Sequence, residues 1–139
     1  MNYLGIDFGL KYIGVAFSQG ILAEPIDQIT HNGDDEYVIE RVLFYCDDLR
    51  VDVIVFGLSE GEMAKQTKAF AVQLKMRTAR SIVFQDETLT SHDAVFKMVD
   101  SGASRKKRQH RQHQVAAAII LQDYLDQHAQ DERKNLVLS

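Results

Sequence analysis

Residues 3–18 read Tyr3-Leu4-Gly5-Ile6-Asp7-Phe8-Gly9-Leu10-Lys11-Tyr12-Ile13-Gly14-Val15-Ala16-Phe17-Ser18. Tyr3–Phe8 and Tyr12–Ser18 suit strands, and Gly9 and Gly14 flank the short connection between them. Asp7 falls near the end of the first strand, where the chain should be buried. An ionised carboxylate in an otherwise apolar strand is costly unless it meets a cation or metal. Two readings stand at this point. Asp7 either caps a hairpin turn, or is held rigidly at the mouth of a sheet for metal or phosphate chemistry, beside glycines that admit a close backbone or phosphate.

Working outward, a third strand is expected over roughly Ile21–Thr30, at a sheet edge because it contains Pro25. His31-Asn32-Gly33-Asp34 is a turn, and Asp34 or Asp35 caps a helix to about Leu49 in which Val38, Val42, Tyr45 and Leu49 recur at helical spacing. Val51–Gly57 fits a buried parallel strand. Gly61 opens a second amphipathic helix carrying Phe70 and Leu74, and Ser81–Gln85 is a further strand ending at Asp86-Glu87. Thr90 or Ser91 caps a third helix with Ala94, Val95, Met98 and Val99 on one side. A basic loop follows, then a heavily buried helix from about Gln112 to Gln127. Asp131–Ser139 has no clear periodicity. The pattern predicts an α/β domain over 1–128 on a five-stranded mixed sheet, with 129–139 as a flexible tail.

The 139 residues are 45% hydrophobic and 26% charged, as in soluble globular proteins. The longest apolar run, Val115 to Leu121, is far too short to span a bilayer, and the first residues carry no basic flank. One cysteine, Cys46, excludes an internal disulfide and a cysteine-rich zinc site. The expectation is a soluble cytoplasmic domain with no membrane partner. Net charge is −4, yet Arg105, Lys106, Lys107, Arg108 and Arg111 contribute +5, leaving −9 elsewhere. An acidic body with one basic segment repels polyanions everywhere except at a single grip point; the alternative is a solvated charged loop.

Ligands of such sheets bind outside the carboxyl ends of parallel strands. Asp7 ends the first strand and Asp86-Glu87 the last, so two acidic sites converge if those strands are parallel and close. Such a pair suits Mg²⁺, which takes one or two carboxylates plus water and phosphate oxygens.

Three motifs, in order and covering Tyr3 to Leu125, resemble those of the YqgF (RuvX) family. They are Gly5 to Ser18, Asp86-Glu87-Thr88-Leu89-Thr90-Ser91, and Ser104-Arg105-Lys106-Lys107-Arg108 followed by Gln114-Val115-Ala116-Ala117-Ala118-Ile119-Ile120-Leu121-Gln122-Asp123-Tyr124-Leu125. The resemblance implies a ribonuclease H-like fold with helices on both faces of the sheet. It also implies a bacterial cytoplasmic nuclease that processes the 5′ end of precursor 16S rRNA by metal-dependent phosphodiester hydrolysis with Mg²⁺ or Mn²⁺. Members are also described as resolvase-like, which makes DNA junctions the alternative to structured RNA. By position, Asp7 is the central metal ligand and Asp86 or Glu87 the second acidic contributor. Adjacent strand residues face opposite ways, so one of the pair reaches the metal, and Glu87 is preferred. Lys11, Arg105, Lys106, Lys107, Arg108 and Arg111 would hold the nucleic-acid backbone. The expected assembly is a monomer or weak homodimer.

Three positions depart from the family pattern. His113 stands where an aspartate precedes the Gln-x-Ala-Ala helix; a neutral ring nitrogen there can ligate a metal and favours softer ions such as Mn²⁺ or Zn²⁺. His110, three residues earlier, shares its face if the helix extends that far; the alternative is that both belong to the polar basic loop, the preferred reading for His110. Leu58-Ser59-Glu60-Gly61 is shorter than the family's proline- and asparagine-containing loop, and Thr88 stands where arginine is usual. These changes raise a second reading, a non-catalytic RNA-binding or ribosome-assembly protein on the same fold. The Gly-Ile-Asp-x-Gly pattern also opens the phosphate loop of actin-like ATPases and sugar kinases. Those need two such lobes, and 139 residues supply one.

Overall fold

The computed structural model describes residues 1–87 and 105–138, with side chains over 1–87 and 112–129. The expected helix over residues 90–99, its capping Thr90 or Ser91, and Thr88 lie outside the described residues.

Strands β1 (Tyr3–Phe8), β2 (Tyr12–Ser18) and β3 (Ala23–Thr30) form an antiparallel meander. Helix α1 (Asp35–Asp48) leads to β4 (Val53–Leu58), and α2 (Glu62–Lys75) to β5 (Ser81–Asp86); both β4 and β5 are parallel to β1. The sheet order is β3-β2-β1-β4-β5, a mixed sheet with Pro25 on the edge strand β3. Ile21 and Leu22, expected in that strand, lie in the preceding turn with 88% and 67% of their surface exposed. Gln122 holds that turn, accepting from the Ala23 N–H and donating to the Ile21 carbonyl, each at 2.9 Å.

Alternation divides the strand residues between two cores. Leu4 and Ile6 of β1 and Ile13 and Val15 of β2 pack with Ile54 and Phe56 of β4 under α1 and α2. In α1 the buried residues are Val38, Ile39, Val42 and Cys46, and Asp34 caps the helix by accepting from the Tyr37 N–H. The opposite face, with Ala16, Val53 and Val55, receives Ala117, Ile120, Leu121 and Leu125 of the last described helix, α3 (Arg105–Leu138). Helices therefore cover both faces of the sheet.

Helix α3 departs from the sequence expectation at both ends. The segment Arg105–Arg111, expected as a basic loop, is helical backbone, and the helix runs on past Gln127 to Leu138. No glycine or proline lies between Arg105 and Leu138, and Arg, Lys, Gln, Glu, Ala and Leu are strong helix formers. Charge density, and the loss of apolar periodicity beyond the core contact, conceal helicity that propensity supports.

Close packing of α3 on the sheet depends on small residues. A Cβ on Gly5 would lie 2.8 Å from Leu121 Cβ and 2.9 Å from the Ala117 carbonyl oxygen. On Gly14 it would lie 1.8 Å from the His113 carbonyl oxygen. Helix backbone thus rests directly on strand backbone, and this close approach fixes where His113 sits.

Candidate active site

The pairing register places the candidate residues in one row. Asp7 pairs with Gly14, and Gly14 with Gln28, so all three side-chain positions share the face covered by α3. On the other side of Asp7, Gly57, the penultimate residue of β4, pairs with Gln85 of β5. Glu87 lies two residues beyond Gln85, and its amide donates to the Leu58 carbonyl at 3.0 Å, which prolongs the β4–β5 ladder. Alternation then gives Glu87 the α3 face and Asp86 the other.

Strand β4 separates β1 from β5, so Glu87 must reach across it to approach Asp7. Gly57 makes the crossing possible. A Cβ there would lie 2.7 Å from Glu87 Oε1 and 2.3 Å from Ile120 Cδ1. Asp7, Glu87 and His113 line one pocket of about 320 Å³, together with Phe8, Gly9, Leu10, Gly57, Ser59, Met63 and Thr67. Asp86 is exposed and does not line it. Lys11 is exposed on the β1–β2 turn beside this pocket, its Nζ 5.4 Å from the centroid of the Tyr12 ring.

His113 approaches Asp7 from above. Its Nδ1 lies 3.2 Å from Asp7 Oδ2, with Asp7 13% and His113 28% exposed at the side chain. The Tyr12 ring stands 5.7 Å from the imidazole at a 35° tilt. Burial raises the Asp7 pKa above the usual carboxylate value, and the charge of Glu87 and a hydrogen bond with it push the same way; the His113 hydrogen bond opposes them. A hydrogen bond between two carboxyls requires a proton on one of them. The pocket therefore brings two acidic groups together where water is scarce.

Among the described residues, no three His, Cys, Asp or Glu side chains stand in a ready-made metal cage. The chemistry of the donor set nevertheless fits a divalent cation. Two carboxylates held against each other by burial are neutralised by a proton or a cation, and a hard divalent ion takes one or two carboxylates and completes its shell with water and phosphate oxygens. His113 would add a nitrogen donor, a ligand type that suits borderline ions such as Zn²⁺ better than Mg²⁺.

Two contributors carry no sequence signal. His31 binds the turn beside the pocket: its Nδ1 accepts from the Gly33 N–H at 3.1 Å, so Nε2–H donates to the Gly9 carbonyl at 2.9 Å. Gln28 accepts at Oε1 from the His113 N–H at 3.3 Å. Both act through backbone groups far away in sequence. Gly57 is readable from the sequence only as the end of an apolar run.

The sequence profile of the RuvX family, described as a Holliday junction resolvase, matches residues 1–127. A protein of Agathobacter rectalis named "Putative pre-16S rRNA nuclease" is 33% identical over 136 residues, covering 91% of this chain and 95% of that protein. One of the same name from Geobacillus kaustophilus is 35% identical over 137 residues, covering 91% and 98%. Among solved structures, Thermus thermophilus RuvC in complex with a Holliday junction substrate matches with a TM-score of 0.60 at 13% identity, over 86% of this chain and 91% of that one. The fowlpox virus Holliday junction resolvase matches at 0.59 and 11%, over 91% and 99%. These structural likenesses establish the ribonuclease H-like fold alone. Motif order, sheet topology and the profile match agree, and the chain belongs to the RuvX (YqgF) family of nucleases.

Proposed function

We propose that this protein is a metal-dependent endonuclease acting on structured RNA, with the 5′ region of precursor 16S rRNA as its substrate. The observation that carries the reading is the meeting of Asp7, Glu87 and His113 in one pocket at the carboxyl ends of the parallel strands. Asp7 and Glu87 would hold a divalent ion, Mg²⁺ or Mn²⁺, with His113 as a third donor. Such an ion supplies a Lewis acid for the phosphoryl oxygen and a nucleophilic water at neutral pH. The chain's own residues bind, orient and shield: Gly9 and Leu10 form one wall of the pocket, Ser59, Met63 and Thr67 another. The five basic residues from Arg105 to Arg111 lie on the same helix as His113, and would draw the phosphate backbone toward the pocket in an otherwise acidic protein. Asp86 has no part in this site, because it faces away from it. The names of the relatives favour precursor 16S rRNA over a DNA junction.

A second reading has its own observation. The direct hydrogen bond between His113 Nδ1 and Asp7 Oδ2 occupies an oxygen that a metal would need, as expected of a scaffold that binds RNA without cutting it.

One assay separates the two. Purified protein is incubated with a precursor-16S-like RNA, and in parallel with a four-way DNA junction, in Mg²⁺ or Mn²⁺. The nuclease reading expects RNA cleavage that Asp7→Asn abolishes while the domain stays folded and RNA binding persists. Salt-dependent RNA binding with no cleavage in either ion gives the second reading. Preferential junction cleavage overturns the substrate assignment. His113→Asp tests the third donor: restoring a carboxylate should tighten Mg²⁺ binding, and unchanged binding would remove position 113 from the ion's surroundings.

A further inference from the structure

His113 reaches Asp7 only because the α3 backbone rests on β2. Gly14 permits that approach but supplies no attraction, being merely the absence of a side chain. Apolar packing of Ala117, Ile120, Leu121 and Leu125 holds the helix on this face, and a specific hydrogen bond at His113 comes from the next strand. Gln28 is the cross-strand partner of Gly14 and projects to the same face, and its Oε1 accepts the main-chain N–H of His113 at 3.3 Å. That amide lies in the interior of a helix running from Arg105 to Leu138. Interior helix amides ordinarily donate only to the carbonyl four residues earlier. A side-chain acceptor entering that ladder is a point at which a helix is held or bent from outside.

Gln28 is itself anchored. Its N–H donates to Asp27 Oδ1 at 2.7 Å. Asp27 Oδ2 in turn accepts from Arg41 at 3.0 Å and from the Tyr45 hydroxyl, both on α1. A continuous set of hydrogen bonds thus runs from α1 on one face of the sheet, through β3, to the backbone that carries the imidazole on the other.

We propose that Gln28 is a positioning residue, seating the His113 backbone on the sheet so that the imidazole is aimed at Asp7. This role rests on His113 belonging to the site proposed above. It predicts that the acceptor oxygen, and not the bulk of the side chain, is what matters.

The test compares Gln28→Leu, which keeps the size and removes the acceptor, with Gln28→Glu, which keeps an acceptor oxygen. Two readouts are taken on full-length protein. The first is the imidazole ¹H–¹⁵N spectrum of His113 without metal, assigned with His113→Gln. The second is kcat and KM for RNA cleavage in Mn²⁺. Gln28→Leu should move the His113 resonances away from those of an imidazole bonded to a carboxylate. It should lower kcat by about 10- to 100-fold, the range for residues that orient a ligand, and leave KM unchanged. Gln28→Glu should restore both. If Gln28→Leu lowers Tm but leaves the ring spectrum as in wild type, Gln28 serves packing alone and the proposal falls. Failure of Gln28→Glu to restore the spectrum also overturns it. A wild-type protein that does not cleave RNA refutes the nuclease reading, and the imidazole spectrum still decides the role of Gln28.

Discussion

Gly14→Ala is the sharpest perturbation of the way α3 sets the site. The added Cβ would lie 1.8 Å from the His113 carbonyl oxygen and 2.1 Å from its carbon, where separations under 3.0 Å essentially never occur. The helix must therefore retreat by about 1.2 Å, since both obstacles are backbone that cannot rotate aside. Overpacking costs about 1–3 kcal/mol, and a backbone obstacle belongs at the upper end. Replacing glycine in a strand returns roughly 0.5–1 kcal/mol. The net loss is about 2 kcal/mol, or roughly 6–10 °C in Tm for a domain of this size. A shift of that length carries the imidazole out of hydrogen-bond range of Asp7, and misplacement by about 1 Å typically costs on the order of 100-fold in rate. Urea unfolding and RNA cleavage in Mn²⁺ measure the two effects. Gly5→Ala, whose Cβ meets Leu121 and Ala117 at 2.8 and 2.9 Å, should lose less stability and keep its activity. Gly57→Ala meets side chains first, Ile120 Cδ1 at 2.3 Å, Glu87 Oε1 at 2.7 Å and Ile120 Cγ1 at 3.0 Å, so it should lose activity out of proportion to stability. A Gly14→Ala protein as stable and as active as wild type would refute the account of α3 docking.

Other consequences are measurable in the same protein. Replacing Arg105, Lys106, Lys107 and Arg108 with glutamine should weaken RNA binding and lower its log–log salt slope by about 0.7–0.9 for each phosphate no longer neutralised; an unchanged slope would make the segment a solvated helix end. Arg50 has φ of 51° just past the end of α1, a left-handed conformation that favours glycine. Arg50→Gly should raise stability by about 1 kcal/mol, and a decrease in urea unfolding would contradict this. Burial pushes the Cys46 thiol up to about 11 from an ordinary 9.0. The folded protein then holds this proton more tightly than the unfolded chain, so its contribution is intact below pH 9 and falls as pH rises toward 11. Native protein at pH 8 should react with a disulfide reagent only as fast as it unfolds, and rapid labelling under native conditions would show an accessible thiolate.

What the sequence discloses follows from its periodicities. Alternation in residues 3–18 gives the hairpin and puts Asp7 at its end, and the same alternation separates Glu87 from Asp86. Pro25 marks its strand as an edge. Periodicity is silent on interactions made through the backbone. The Gln28–His113 hydrogen bond joins residues 85 apart, and no spacing rule reports it. Gly14 and Gly57 look like turn and strand-end glycines, because the reason for each is a side chain or helix arriving from another part of the chain. The start of α3 is hidden for a different reason. Five cations in seven residues read as a solvated segment, although their helix propensity is high and nothing in the run breaks a helix.

The electrostatics of the pocket connect these parts. Asp7 is pushed toward its neutral form chiefly by burial and further by Glu87. In the folded state it binds a proton more tightly than in the unfolded chain, so as pH rises above its ordinary value of 3.8 this group progressively loses folding stability. A divalent ion reverses the balance by supplying charge where a proton otherwise resides. Ion binding should therefore release protons and tighten as pH rises. Titrating metal-free protein with Mn²⁺ at pH 6 and pH 8, in buffers of different ionisation enthalpy, measures the protons released and the affinity together. The same ion should stabilise wild type against urea more at pH 8 than at pH 6, and should do little for Asp7→Asn, which has no charge to neutralise at that position. Mn²⁺ binding that releases no proton, is independent of pH and is unchanged in Asp7→Asn would mean that the ion sits elsewhere. The meeting of Asp7 and Glu87 across Gly57 would then be a structural carboxyl pair.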